Sequence, residues 1–399
     1  MEDLQSMINR LCPDGVEYKP LSEVGTFTRG RRFVRADIVN EGYPCIHYGD
    51  LYTYYGLSAT ETRTFISPEL ASKLRFAEKN DVIIVGAGEN DEDIGIGLAW
   101  LGDSSPAVHD ACYIFKHHEN PKYISYFLRS HDYHQQIKKS VSSGKICSIS
   151  ADGIGKAIMP VPPVDIQNRI VDILDSFIDY TEKLKAELSA ELEARQKQYE
   201  FYRDKLLSFN NINGGGGYDI AINWIPLKMC CAINKGDYLT KKDAHVGTVP
   251  VILGGQQPAY YIDRANHSGD AIVVSRSGAS AGFVSWWHEP IFVTDGFLIE
   301  PCESLRHRFV YHYLKSIQAQ LNASKRGSGV PHITSEMLSN VPIPVIPLSL
   351  QDRITTLLDT LNELSTKLVQ ELHTEIQARQ QQYEYYRDKL LTFKRKAVA

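Results

Sequence analysis

This chain of 399 residues has no run of about 18 apolar residues, the length a membrane-crossing helix needs. It has no CxxC pair either. Its seven cysteines (Cys12, Cys45, Cys112, Cys147, Cys230, Cys231 and Cys302) are odd in number and scattered. That pattern argues against a disulfide framework or a zinc ribbon and predicts reduced core thiols in a cytoplasmic protein. A surplus of positive charge is also missing: 43 Lys and Arg face 48 Asp and Glu. Any hold on nucleic acid must come from local patches or from partner chains. Catalytic signatures are absent as well. There is no GxxxxGK[ST] phosphate loop, no helical HExxH, and no N/D/S-P-P-Y/F/W motif, because MPVPPV lacks the polar and aromatic ends. Asp14, Glu17 and Lys19 superficially resemble a PD…ExK nuclease, but the two acids are too close together to sit on adjacent strands. His131 and His134 read as surface histidines rather than a metal site. The opening MEDLQSMINRLCPDG is acidic and amphipathic, unlike a secretion signal.

Two long segments lack glycine and proline altogether, and they are near copies. Residues 167–209 align with 351–393 at a constant offset, with 23 of 43 positions identical, against roughly three expected by chance. In the first copy the stripe runs Ile170, Leu174, Phe177, Thr181, Leu184, Leu188, Leu192, Arg195, Tyr199, Tyr202, Leu206, Phe209. Steps of three and four alternate, with one extra four-step, which is a coiled-coil stripe carrying a stutter. The second copy repeats every step from Ile354 to Phe393. Asp165 and Ser349, each after a proline-rich run, are the expected N-caps. Each helix would be roughly 60–65 Å long at about 1.5 Å per residue. A helix that long needs a partner of equal length, and the twin supplies it in antiparallel pairing; pairing with another chain is the alternative. Arg195 and Arg379 interrupt the stripe and are expected to pair with Glu191 and Glu375 one turn earlier, with partner contact as the alternative.

Weaker echoes connect the segments before each helix. Gly30 matches Gly236, Pro44 matches Pro250, and the runs 81–85 and 270–274 correspond, each before a glycine-rich loop. SSGKICSIS parallels GSGVPHITS, placing Ser150 and Thr334 as caps of short helices. Module one carries about 20 extra residues between 50 and 81. NINGGGG, ending at Gly217, reads as a flexible linker. Tyr54-Tyr55 and Tyr260-Tyr261 are expected to fill cores, with base stacking as the alternative.

LCPDGVEYKPLSEV, the proline-rich helix entries, VVSRSGASAGFV and the twin ends ARQKQYEFYRDKLLSF and ARQQQYEYYRDKLLTF together closely resemble the specificity subunit of type I restriction–modification systems. The resemblance implies an α+β fold in which two pseudo-twofold-related target-recognition domains are separated by two long antiparallel coiled-coil helices. The expected divisions are recognition domain one at 1–163, a central helix at 164–209, linker and recognition domain two at 210–347, and a C-terminal helix at 348–399. It implies a non-catalytic reader of an asymmetric, bipartite double-stranded DNA target. Two DNA-methyltransferase subunits and two ATP-dependent restriction subunits are the implied partners. S-adenosylmethionine, Mg and ATP belong to those partners, none to this chain. The candidate DNA contacts are Arg29, Arg31, Arg32, Asn90, Lys138, Lys139 and Lys145 in module one. In module two they are Lys235, Lys241, Lys242, Arg276, Ser277, Ser280, Lys325 and Arg326. Arg276 on its glycine-rich tip suits guanine, and the other cations suit phosphates, against the plain alternative of solvated surface charge. The acidic Glu89, Asp91, Glu92 and Asp93 around Asn90 depart from that scheme. Rival readings are service to a fused restriction–methylation polypeptide, a coiled-coil protein-binding adaptor, or a free-standing enzyme.

Overall fold

The glycine- and proline-free repeats form two helices of 44 and 43 residues, Val164–Leu207 and Leu348–Leu390. Each starts one residue before its expected cap. The carbonyl of Pro163 accepts from the Ile166 and Gln167 amides, and that of Pro347 from the Leu350 and Gln351 amides. The prolines therefore cap, and Asp165 and Ser349 sit inside the first turn. An N-cap must supply a carbonyl to the first helical bond, which proline can do while its fixed φ delivers an extended entry. Asp165 still contributes there, as a negative charge at the positive end of the helix.

The computed structural model describes residues 3–142, 144, 146–209, 222–239, 245–253, 257–327 and 330–397. The chain divides into two compact units, residues 1–186 with 374–399, and residues 187–373. The main sheet of the first unit contains β1 (Gly25–Arg29), β2 (Ser58–Ala59), β3 (Val82–Val85), β4 (Gly97–Trp100) and β5 (Cys112–His117), in the order β1-β5-β3-β4-β2. Every residue of β3 and β4 is buried. They are covered by Tyr123, Ile124 and Phe127 of the helix Pro121–Phe127, in one core with Ile170 and Leu174 of the first long helix. A smaller sheet, including Tyr43–Ile46 and Thr64–Ile66, has its own core of Phe33, Cys45, Ile66 and Ala107. The start of the first long helix packs here with the end of the second: the Phe177 and Tyr386 rings stack at 5.4 Å.

In the second unit, β6 (Cys231–Lys235), β7 (Ala271–Ser275), β8 (Val284–Trp287) and β9 (Gly296–Pro301) form an antiparallel sheet in the order β6-β9-β7-β8. Tyr199, Leu206 and Leu207 from the end of the first long helix share its core with Ile354 and Leu358 from the start of the second. Start meets end within each unit, the order an antiparallel pair requires.

Four strands of the first main sheet match the four of the second. Tyr113 faces Arg29 as Phe297 faces Lys235, and Cys112 faces Val85 as Gly296 faces Ser275. Val85 therefore corresponds to Ser275, one residue away from the correspondence of 81–85 with 270–274 expected from sequence. A wholly buried apolar strand has no polar alternation to fix its register. The tyrosine pairs are not equivalent either. Cys45 faces Thr64 where Val251 faces Tyr260, so Tyr260 occupies the place of Thr64. Tyr55 is a core residue and half-buried Tyr260 packs against the core of Val251, Ile262 and Phe292; Tyr54 and Tyr261 are exposed. Much of the extra length of module one is the helix Tyr48–Thr53 and β2, a fifth strand with no counterpart in the second sheet.

One buried glutamine fastens each module to its long helix. Gln167 Oε1 accepts from the Asn120 amide (3.0 Å) while its Nε2 donates to Pro162 O (2.8 Å). Gln351 does the same with the Arg306 amide (2.8 Å) and Ile346 O (2.7 Å). About two turns further along, Asp175 accepts from the Tyr126 hydroxyl (2.7 Å) and pairs with Lys122. Asp359 likewise binds His312 Nε2 (2.8 Å) and pairs with Arg308 (2.7 Å). Ser150 and Thr334 cap their short helices as expected. Of the seven thiols, all free, five are buried; Cys12 is half-buried and Cys302 exposed.

Candidate nucleic-acid interface

Among the described residues, the sequence candidates gather at one end of each main sheet. In module one β1 ends at Arg29, beside the start of β5 and the loop that leaves β3. Arg29 Nε donates to Asp110 O (2.7 Å), and Arg31 Nη1 to Lys73 O (2.8 Å). Both side chains are exposed, as is Arg32. Gly30 between them is required: a Cβ there would lie 2.2 Å from His109 O, and one at Gly236 would lie 2.5 Å from Val293 O. Asn90 is exposed, and its Nδ2 donates to Asp93 Oδ2 (3.2 Å) as it opens the turn Asp91–Asp93. Lys138 and Lys139 are exposed on the turn Lys138–Ser140, and Lys138 shares a cleft with Asp91 and Glu92.

In module two Lys235 ends β6, two strands from Ser275. Arg276 follows, but its Nε donates to Asp295 Oδ1 (2.6 Å), and the Ser277 hydroxyl binds the same carboxylate. Asp295 therefore orients the guanidinium rather than leaving it as a free tip. Ser280 closes the turn through its carbonyl, which accepts from the Phe283 amide (2.9 Å). Residues 325–327 and 330–333 fold against this tip. Lys325 Nζ donates to Ala279 O (3.2 Å), Gly278 N–H to Pro331 O (2.9 Å), and Arg326 and Ser277 both bridge to His332. Arg276, Ser277, Ser280, Lys325 and Arg326 thus form one cluster. Lys145, Lys241, Lys242 and the NINGGGG segment lie outside the described residues.

Module one has no counterpart of Arg276. The Ile149 amide donates to Gly86 O (2.9 Å) where the Ile333 amide donates to Arg276 O (2.8 Å). Gly86 takes that place because a Cβ would lie 2.5 Å from the Tyr113 ring. What module one has instead is a cluster of rings not singled out from sequence. His47, Tyr48 and His109 meet with centroids 4.4–5.3 Å apart, and Tyr52 lies beside Tyr48. Burial, with His109 and Arg35 adding to it, pushes His47 down to about 4; burial also lowers His109. Single histidines in polar surroundings carry no sequence signal; only the fold assembles them. Among the described residues no trio of His, Cys, Asp or Glu is placed to hold a metal ion, and no helix is long and apolar enough to cross a membrane.

A profile of the type I restriction modification DNA specificity domain matches residues 13–194 and again 225–378. The EcoR124I/EcoR124II specificity subunit of Escherichia coli is 26% identical over 414 residues, covering 95% of this chain and 94% of that protein. A subunit from a structure of type I restriction–modification complex assembly and conformational transition superposes with a TM-score of 0.70 at 16% identity, over 94% of this chain and 97% of that one. The HsdS subunit from Thermoanaerobacter tengcongensis gives 0.60 at 15%, over 96% and 97%. These two likenesses establish the fold, and the twice-matched profile covers most of the sequence. The role the profile names is DNA specificity, not catalysis. The chain belongs to the type I restriction–modification DNA specificity family.

Proposed function

We propose that this chain reads an asymmetric, bipartite double-stranded DNA target, one half-site per module, and serves as scaffold for catalytic partners. The observation that carries this is a shared scaffold with unlike residues at the same sheet end: Arg29, Arg31 and Arg32 beside Gly86 in one module, Lys235 beside Arg276 in the other. Equivalent frames with different surfaces suit two different half-sites; identical modules would read an inverted repeat. Base-edge contacts supply the sequence information, while exposed Lys138, Lys139 and Arg326 and half-buried Lys325, with Lys145, Lys241 and Lys242, hold phosphates and set register. Tethering the two readers multiplies their individual weak affinities.

The long helices act as a spacer between recognition domains at 1–163 and 210–347, and as the seat of two methyltransferase subunits. Two ATP-dependent restriction subunits complete the assembly, and S-adenosylmethionine, Mg and ATP act in those partners. The test is removal of one heptad from both long helices, with binding and methylation of the assembled complex mapped at defined salt. A changed gap with both half-sites intact is expected. Changed half-sites with an unchanged gap would overturn the division of labour, and no preference for any split sequence would leave a protein-binding adaptor.

A further inference from the structure

We propose that position 47 of module one, and its structural equivalent 253 of module two, read bases, with His47 Nε2–H donating to N7 of a purine in the major groove. This rests on module one being a DNA reader. The equivalence comes from hydrogen bonds. Ile46 faces Val108 and its carbonyl accepts from the His109 amide (3.2 Å). Ile252 faces Val293 and its carbonyl accepts from the Thr294 amide (3.1 Å). The next residue is His47 in one module and Leu253 in the other. Both lie beside the proposed contact end of the sheet, since the Arg31 amide bonds Val108 O and the Asp237 amide bonds Val293 O.

The geometry of His47 fixes its tautomer. The Gly49 amide donates to its Nδ1 (3.3 Å), so that nitrogen carries no proton and the ring hydrogen sits on Nε2. His109 has the same arrangement, with the Ala111 amide donating to its Nδ1 (3.0 Å). The 3.3 Å approach of Asp110 to that nitrogen is then a near contact between a carboxylate and a neutral ring. The Tyr48 and His109 rings, 4.4 and 4.6 Å away, hold the His47 imidazole in place. Among the described residues no protein group accepts from His47 Nε2, which is not among the buried, unpartnered atoms. The result is one directional, uncharged donor on a half-buried ring, amid the exposed Arg29, Arg31, Arg32 and Arg35.

Those arginines can serve phosphates; a neutral imidazole gains little there. A single in-plane donor matches a single in-plane acceptor, which purine N7 provides. Leu253, 41% exposed, has no donor, and at the same scaffold position its apolar side chain suits a thymine methyl. One position thus presents chemistry that cannot be interchanged between the modules.

The test uses the full chain assembled with its partner subunits. Its target is first defined by selection from random DNA, and each purine of the first half-site is then replaced in turn by the 7-deaza analogue. Wild type is expected to lose about tenfold at one purine, the worth of one hydrogen bond. His47→Ala should show no further loss there and should relax one base pair of that half-site only. His47→Gln, which keeps an amide donor near the Nε2 position, should retain part of the preference and guards against misfolding of the alanine variant. Unchanged base preference in both variants, while exchange of residues 20–159 alters the half-site, would overturn the role of His47 alone. An unchanged target after that exchange would instead overturn module one as a reader.

Discussion

Where each module joins its long helix, the two halves of the chain use the same chemistry; where the main sheet ends in loops, they do not. Gln167 and Gln351 make matching bonds to an amide and a carbonyl, and Asp175 and Asp359 each take one cation and one neutral donor from the neighbouring short helix. At the loop-bearing end Gly86 stands against Arg276, His47 against Leu253, and a fifth strand exists in one module only. The difference follows from burial. A buried polar group must keep its partners, so its identity is held fast. An exposed loop on a rigid sheet can change its side chains at little cost to stability.

The comparison can be broken most forcefully by exchanging residues 20–159 for the corresponding module of another family member. Methylation mapping should show a complete switch of one half-site and no change in the other. Next come the fastening residues. Gln167→Leu and Gln351→Leu each strand a buried amide and a buried carbonyl, at about 1–3 kcal/mol per group. Chemical denaturation should show similar losses for both, with hydrogen exchange locating each in its own unit. A large loss for one and none for the other would end the equivalence.

Acid should separate the units more gently. Burial lowers the pKa of His47, His109, His117 and His134 in the first unit, and of His312 in the second. A histidine held neutral by the fold takes up its proton more readily when unfolded. Stability is therefore complete above the free value of about 6.5 and is lost as pH falls below it. Hydrogen exchange at pH 7.5 and 5.5, corrected for intrinsic rates, should show the first unit losing more protection. The smallest effect is expected at the twin arginines. Arg195 and Arg379 bind Glu191 and Glu375 at 2.8 Å on half-exposed helix faces, and such pairs are worth about 0.3–0.5 kcal/mol. Alanine at either should barely move the melting temperature. A marked loss of complex assembly would instead assign them to partner contact.

Much of this was legible in the sequence because the long helices state their periodicity twice and lack any breaker. The arginine–glutamate pairs and the Ser150 and Thr334 caps were readable for the same local reason. The helix starts at Val164 and Leu348 agree with the expected divisions, but the caps lie two residues earlier than expected because the Pro163 and Pro347 carbonyls do the capping expected of Asp165 and Ser349. The strand register slipped by one because Val82–Val85 is buried on both faces. The paired tyrosines were expected to fill cores, but a dipeptide on a strand or turn points its two rings to opposite sides, and Tyr54 and Tyr261 are exposed. For the candidate site, sequence located the basic loops but not their restraints: Asp295 holds Arg276, and Asp93 holds Asn90. His47 was invisible until Ile46 and Ile252 were superposed through their hydrogen bonds.

Gln167 and Gln351 also determine how each long helix is turned about its own axis relative to the module it leaves. Translation and rotation are then no longer separable. One residue inserted beyond either glutamine advances the helix by about 1.5 Å but swings everything after it through about 100°. Phase, more than reach, decides which insertions a chain built this way would survive.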